Sequence, residues 1–71
     1  MSTKVESPMQ GKIVEILVSV GDEVAEDDEL LILEAMKMEN PVYAPADGVV
    51  KEILVKEKDS VESEQVLMVL E

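Results

Sequence analysis

The residues with the clearest chemical potential form a short central segment, residues 34–40, with the sequence Glu-Ala-Met-Lys-Met-Glu-Asn. Lys37 lies at its centre and offers a primary amine on a long, flexible side chain. A separate enzyme could reach and modify such an amine if the segment forms an exposed turn. Lys37 is therefore the candidate functional residue, and the alternative is an ordinary exposed lysine.

Met36 and Met38 flank this lysine. Methionine is unbranched and polarizable, so a pair of methionines can adapt to several protein surfaces in turn. The alternative is that they cap the hydrophobic end of the fold. Their placement on either side of one lysine favours contact with partner proteins.

The residue types that are missing restrict the chemistry of the chain. The sequence has no histidine, cysteine or arginine, so it lacks an imidazole base, a thiolate nucleophile and a guanidinium group for phosphates. We therefore expect no independent catalytic activity and no zinc site of the usual ligands. Residues 22–29 are strongly acidic, but they lack the ligand spacing of an EF-hand loop, and a solvated turn explains them better.

The charge of the chain restricts its partners. The formal net charge is −11, which repels nucleic acid and anionic membrane surfaces. No apolar run approaches the roughly 20 residues that span a membrane. We expect protein partners, a monomer in isolation and a cytoplasmic location.

An internal duplication surrounds the central segment. Residues 5–34 align without a gap with residues 42–71, at an offset of 37, and 12 of the 30 aligned pairs are identical. These pairs are Val5/Val42, Pro8/Pro45, Gly11/Gly48, Glu15/Glu52, Ile16/Ile53, Leu17/Leu54, Val18/Val55, Asp22/Asp59, Val24/Val61, Leu30/Leu67, Leu33/Leu70 and Glu34/Glu71. A repeat of this length cannot enclose a core alone, so the copies must pack against each other. Residues 1–71 are thus predicted to form one domain with twofold-related halves, in which Lys37 and the chain termini lie at opposite poles.

The secondary-structure signals conflict over residues 26–39, which are rich in good helix formers. Strands are nevertheless favoured, because each copy opens with Pro-x-x-Gly, continues through a β-branched run and then reaches a turn at residues 21–22 or 58–59. The predicted strands are residues 5–7, 12–18, 23–24 and 30–35, repeated 37 residues later.

With these features the chain resembles biotin carboxyl carrier domains from Pro8 to Glu71. The resemblance rests on Ala-Met-Lys-Met at residues 35–38 and on the flanking segments at residues 8–11 and 44–48. Related lipoyl domains typically carry Asp-Lys-Ala around the modified lysine. The protruding thumb of some bacterial acetyl-CoA carboxylase carriers is absent, because the two copies align without a gap.

The resemblance implies an all-β fold, a flattened barrel-sandwich hybrid of two four-stranded antiparallel sheets with quasi-twofold symmetry. The lysine would lie in a two-residue hairpin loop, Met36-Lys37, which pairs Ala35 with Met38 and prefers positive φ at both central residues. Since neither residue is Gly or Asn, we expect backbone strain there.

The resemblance also implies a carrier function. Biotin protein ligase would activate biotin as its adenylate and acylate Lys37, with Glu34, Ala35, Met36 and Met38 serving recognition by the ligase and by later partners. The covalent biotin would carry carboxylate between a biotin carboxylase and a carboxyltransferase or decarboxylase subunit. The alternatives are a lipoyl carrier for acyl transfer and an unmodified β interaction module.

Overall fold

The structure, a computed structural model, describes residues 2–71 and contains eight β-strands. They are β1 Thr3–Glu6, β2 Gly11–Ile16, β3 Glu23–Val24, β4 Glu29–Ala35, β5 Met38–Tyr43, β6 Gly48–Ile53, β7 Ser60–Val61 and β8 Val66–Leu70. Residues 2–71 include no helix, which confirms the all-β prediction. The helix-favouring residues of β4 form a strand because Leu31, Leu33 and Ala35 then share one buried face.

The strands form two antiparallel sheets that are related by the duplication. The order β5-β4-β2-β7 defines the hairpin sheet, which contains Lys37 between two of its strands, and the order β1-β8-β6-β3 defines the terminal sheet. An offset of 37 residues matches β1, β2, β3 and β4 to β5, β6, β7 and β8, and it converts the strand order of one sheet into that of the other. The predicted two-sheet architecture with quasi-twofold symmetry is confirmed.

One core lies between the sheets and draws on both copies. Its fully buried residues include Ile13 and Leu33 from the first copy and Leu67 and Leu70 from the second. Complete burial of each such side chain stabilises the fold by about 2 kcal/mol. Because both copies contribute to the same cluster, neither can keep its apolar face dry alone.

The turns before β3 and β7 use equivalent hydrogen bonds. The Asp22 carboxylate accepts the N–H of Ser19 at 2.9 Å, and the Asp59 carboxylate accepts the N–H of Lys56 at 2.9 Å. Asp28, in the acidic segment, likewise accepts the N–H of Ala25 at 2.9 Å. Two of the acids of residues 22–29 thus form turns, and residues 2–71 contain no cluster of three or more acidic side chains placed to hold a metal ion.

Some strands end earlier than predicted. The first long strand was expected to reach Val18 but ends at Ile16, because the chain turns at residues 19–22, where the N–H of Asp22 donates to the carbonyl of Ser19 at 3.0 Å. The first strand ends at Glu6 rather than Ser7, whose N–H donates to the carbonyl of Gln65 at 2.8 Å outside the strand ladder.

The two chain ends lie far from Lys37. Thr3 pairs with Leu70 at the end of β8, whereas residues 60–62, which precede β8, lie beside Ala35 and Met36 at the other end of the fold. β8 therefore runs from the neighbourhood of the hairpin to the chain termini, as the duplication predicts.

Candidate functional site

Lys37 lies at the tip of a tight hairpin between β4 and β5. Glu34 pairs with Glu39, and Ala35 pairs with Met38, which leaves only Met36 and Lys37 in the loop. Their φ angles are 55° and 65°. The predicted two-residue loop and its left-handed backbone are confirmed.

This loop is strained because both residues carry a Cβ. An L-residue in the left-handed region costs about 1–2 kcal/mol, and such conformations persist where the surrounding fold fixes them. Here the strand ladder below the loop fixes it, together with the Asn40 side-chain amide, which donates to the carbonyl of Met38 at 3.2 Å. The strain is thus borne by a short, well-paired hairpin.

Gly11 supports the base of the hairpin by allowing β2 to approach β4 closely. A Cβ at Gly11 would clash with the carbonyl oxygen of Glu34 and would lie 3.1 Å from the Leu33 side chain. The equivalent position in the second copy, Gly48, is less crowded, since its Cβ would lie 3.1 Å from the carbonyl oxygen of Glu71. Gly11 therefore belongs to the functional site as a support of the strand that leads to Lys37.

The side chains at the tip are directed to solvent. Met36 is 92% exposed and Met38 is 66% exposed, and Lys37 is exposed as well. A side chain as exposed as Met36 cannot cap a hydrophobic core, so the capping interpretation is wrong for this residue. The tip presents one amine between two free thioether side chains.

The other two predicted site residues lie at the base of the hairpin. Ala35 is buried, with 7% of its surface exposed, and packs below the tip, whereas Glu34 is exposed. Glu34 faces Glu39 across the ladder, and Lys12 of β2 is its neighbour on the other side. The base therefore carries two carboxylates side by side, and the roles of Ala35 and Glu34 in recognition remain predictions.

Residues from the second copy complete the surroundings of the hairpin. Val61 of β7 pairs with Gly11, and residues 60–62 line a shallow depression with residues 10–12 and 34–36. Sequence reasoning did not assign residues 60–62 to the site, because the offset of 37 shows which residues are equivalent but not which strands lie side by side. In the structure the equivalent depression brings residues 23–25 beside residues 47–49.

Within residues 2–71 the structure has no helix long and apolar enough to cross a membrane. The site itself is an exposed hairpin on a small β-fold, and it presents the amine of Lys37 at its tip. Such an arrangement can accept a covalent group from another protein and present it to solvent.

The chain matches one protein family and is similar to several known proteins. The biotin/lipoyl family profile, described as biotin-requiring enzyme, matches residues 3–70. The biotin carboxyl carrier protein of Streptococcus mutans is 58% identical over 38 residues, which are 54% of this chain and 29% of that protein. The gamma subunit of glutaconyl-CoA decarboxylase from Acidaminococcus fermentans is 54% identical over 41 residues, which are 58% of this chain and 28% of that subunit.

Solved structures show the same fold inside larger proteins. The urea carboxylase of Kluyveromyces lactis matches 99% of this chain with a TM-score of 0.93 and 34% identity, and the match covers 6% of that chain. A single-chain, multi-domain long-chain acyl-CoA carboxylase matches 96% of this chain with a TM-score of 0.90 and 26% identity, over 7% of its own length. The matched region is thus less than a third of each of these relatives.

Proposed function

The chain belongs to the biotin-requiring enzyme family and is a biotin carboxyl carrier domain, and from this premise we propose that Lys37 is the residue that carries the biotin. The observation that supports this assignment most strongly is the position of Lys37 at the tip of the strained hairpin, in the segment that joins the two copies of the duplication. The domain is a carrier rather than a catalyst. We further propose that residues 1–71 act as one domain.

The residues around Lys37 fit a covalent biotin. Attachment through an amide requires an amine that protrudes far enough to enter the active site of a ligase, and the exposed side chain of Lys37 meets this requirement. Among residues 2–71 no carboxylate lies within 4 Å of its ammonium group. The Lys37 amine is therefore accessible without the rupture of an ion pair.

The hairpin gives the attached group a defined origin. Three features hold the Cα of Lys37 at the tip of the hairpin. They are the left-handed backbone at Met36 and Lys37, the Ala35–Met38 pair beneath it and the close approach of Gly11. When bound, biotin supplies a ureido nitrogen that can carry carboxylate. The chain contributes a fixed attachment point and a flexible side chain that extends the reach of the arm, so transfer between two sites proceeds without release into solvent.

The exposed methionines suit a carrier that meets several partners. Met36 and Met38 can rearrange their flexible side chains against different surfaces. We propose that biotin protein ligase, a biotin carboxylase and a carboxyltransferase or decarboxylase subunit are these partners, since relatives are named as carboxylases and as decarboxylase subunits. The cytoplasmic and monomeric states expected from the sequence remain predictions.

Lipoyl attachment is the second candidate, because the family profile covers both cofactors. The relatives favour biotin, since they are named as a biotin carboxyl carrier protein and as biotin-dependent carboxylase subunits. The Ala-Met-Lys-Met sequence favours it too.

Intact mass measurement tests the assignment of Lys37. We expect the full chain, coexpressed with a biotin protein ligase, to gain the mass of one biotinyl group, and the Lys37→Arg variant to gain none. Lys51→Arg is the matched control, because Lys51 is also exposed but lies on the terminal sheet. Biotin on Lys37→Arg, or a wild-type chain that accepts only lipoate, would overturn the proposal.

A further inference from the structure

The outer faces of the two sheets differ in chemistry although their backbones are equivalent. The hairpin face, defined here as Val14, Ile32, Pro41 and Tyr43, is apolar and lies on the hairpin sheet. The equivalent residues of the terminal sheet, 37 positions away, are Lys51, Val69, Lys4 and Glu6. Three of the four positions thus exchange an apolar or aromatic residue for a charged one.

Strand pairing and burial show that the hairpin face is directed outward. Ile13 pairs with Leu33, but Glu15 pairs with Ile32, so Val14 is the extra residue. Ile32 in turn pairs with Pro41, and its neighbours Leu31 and Leu33 are fully buried, so Ile32 is directed away from the core. Val14 is 38% exposed and Tyr43 is 53% exposed.

The hairpin face is continuous with the base of the Lys37 hairpin. A shallow depression connects them, and it is lined by Lys12, Ile13, Val14, Glu34, Glu39 and Lys58. The acids Glu15 and Glu29 border the face, opposite Ile32 and Tyr43 respectively. The surface is therefore an apolar stripe that leads to Lys37, and its margin is acidic on balance, with the four glutamates against Lys12 and Lys58.

The terminal sheet shows that the fold does not require this stripe. Lys51 and Glu71 occupy the positions equivalent to Val14 and Glu34. They form an ion pair, with 3.5 Å between the ammonium nitrogen and the carboxylate oxygen. The same bulge occurs there, between Val50 and Glu52. Since equivalent backbones accept either chemistry, the apolar residues of the hairpin face need an explanation other than folding.

Building on the proposed function, we propose that the hairpin face is the docking surface for the biotin protein ligase that acylates Lys37. The ligase must hold the amine of Lys37 itself, so it covers the hairpin and the surface next to it. Partners that meet the loaded arm can contact the tip at Met36 and Met38 and need not cover the sheet beside it. The acidic margin selects a ligase surface on which apolar side chains are bordered by Lys or Arg, since complementary charges speed encounter and fix orientation.

An exchange between the two faces tests the proposal. The double variant Val14→Lys/Tyr43→Glu gives two of the four positions of the hairpin face the residues of the terminal sheet, and the control Lys51→Val/Glu6→Tyr makes the reverse exchange. Each pair of substitutions leaves the net charge unchanged, and each residue is already accepted at the equivalent backbone position. Thermal unfolding of both variants establishes that they fold.

The kinetics of biotin transfer from a purified ligase, with biotin and ATP present, give the readout. We expect Val14→Lys/Tyr43→Glu to raise KM for the carrier about tenfold, the effect of losing one well-packed contact cluster, with kcat nearly unchanged because Lys37 is intact. The control should keep the wild-type KM. A rise in KM confined to the first variant supports the proposal.

Three results would overturn it. An unchanged KM in Val14→Lys/Tyr43→Glu would show that the ligase does not dock on this surface. An equal rise in KM in the control would show the same. A concentration-dependent dimer of the wild-type chain that the exchange abolishes would assign the face to a second copy instead. None of these bears on Lys37, whose assignment fails only if the wild-type chain accepts no biotin there.

Discussion

The two ends of the fold are built from equivalent strands, yet only one of them carries Lys37, the proposed attachment residue. At the hairpin end, β4 continues through Met36 and Lys37 into β5. At the terminal end, β8 finishes beside β1, and Thr3 pairs with Leu70. The fold therefore needs both copies, whereas the attachment of one group needs only the connection between them.

The two ends also differ in how crowded the backbone is at their bases. Gly11 and Gly48 occupy equivalent positions, but a Cβ at Gly11 would meet the carbonyl of Glu34 much more closely than a Cβ at Gly48 would meet that of Glu71. The hairpin end is the more tightly packed of the two. A continuous chain at this end allows less adjustment than two separate chain ends do.

Alanine substitution at these glycines is the prediction with the largest effect. We expect Gly11→Ala to lower the free energy of unfolding by about 3 kcal/mol and Gly48→Ala by about 1 kcal/mol, because overpacking is more severe at Gly11. Urea denaturation of both variants measures the difference. Equal losses would show that the two ends tolerate crowding alike.

Gly21 and Lys58 occupy equivalent turns in the two copies, and substitutions there should have a smaller effect on stability. Both residues have positive φ, 97° and 76°, but only Gly21 lacks a Cβ. We expect Lys58→Gly to raise the free energy of unfolding by about 0.5 kcal/mol and Gly21→Lys to lower it by about 1 kcal/mol. A Cβ at Gly21 would have no neighbour within 4 Å, so the positive φ is the cost that we expect for Gly21→Lys. A larger loss of unfolding free energy would indicate another cause.

Truncation of the exposed methionine should have the smallest effect on folding. Met36→Ala is expected to change the free energy of unfolding by less than about 0.5 kcal/mol, because the side chain is 92% exposed. The same variant should slow carboxyl transfer by the assembled complex, since it would remove the proposed contact with a partner. Val61→Ala is the buried control and should lose stability. A large loss of unfolding free energy in Met36→Ala would show that Met36 packs against the fold.

Much of this arrangement could be predicted from the sequence. The duplication and the Pro-x-x-Gly openings indicated the strands despite the helix-favouring residues 26–39, and the family resemblance indicated the loop at Met36 and Lys37. The close approach of Gly11 to Glu34 could not be predicted, because it depends on the distance between two strands. The hairpin face could not be predicted either, because it depends on the order β5-β4-β2, which brings residues from three strands side by side.

The central claim is that the unmatched lysine alone carries the cofactor, and peptide mapping by mass spectrometry tests it most directly. The chain has six lysines, Lys4, Lys12, Lys37, Lys51, Lys56 and Lys58, and each can be scored for biotin after coexpression with a ligase. We predict biotin on Lys37 and on no other lysine. Biotin on Lys12 or Lys51, with Lys37 unmodified, would contradict the account.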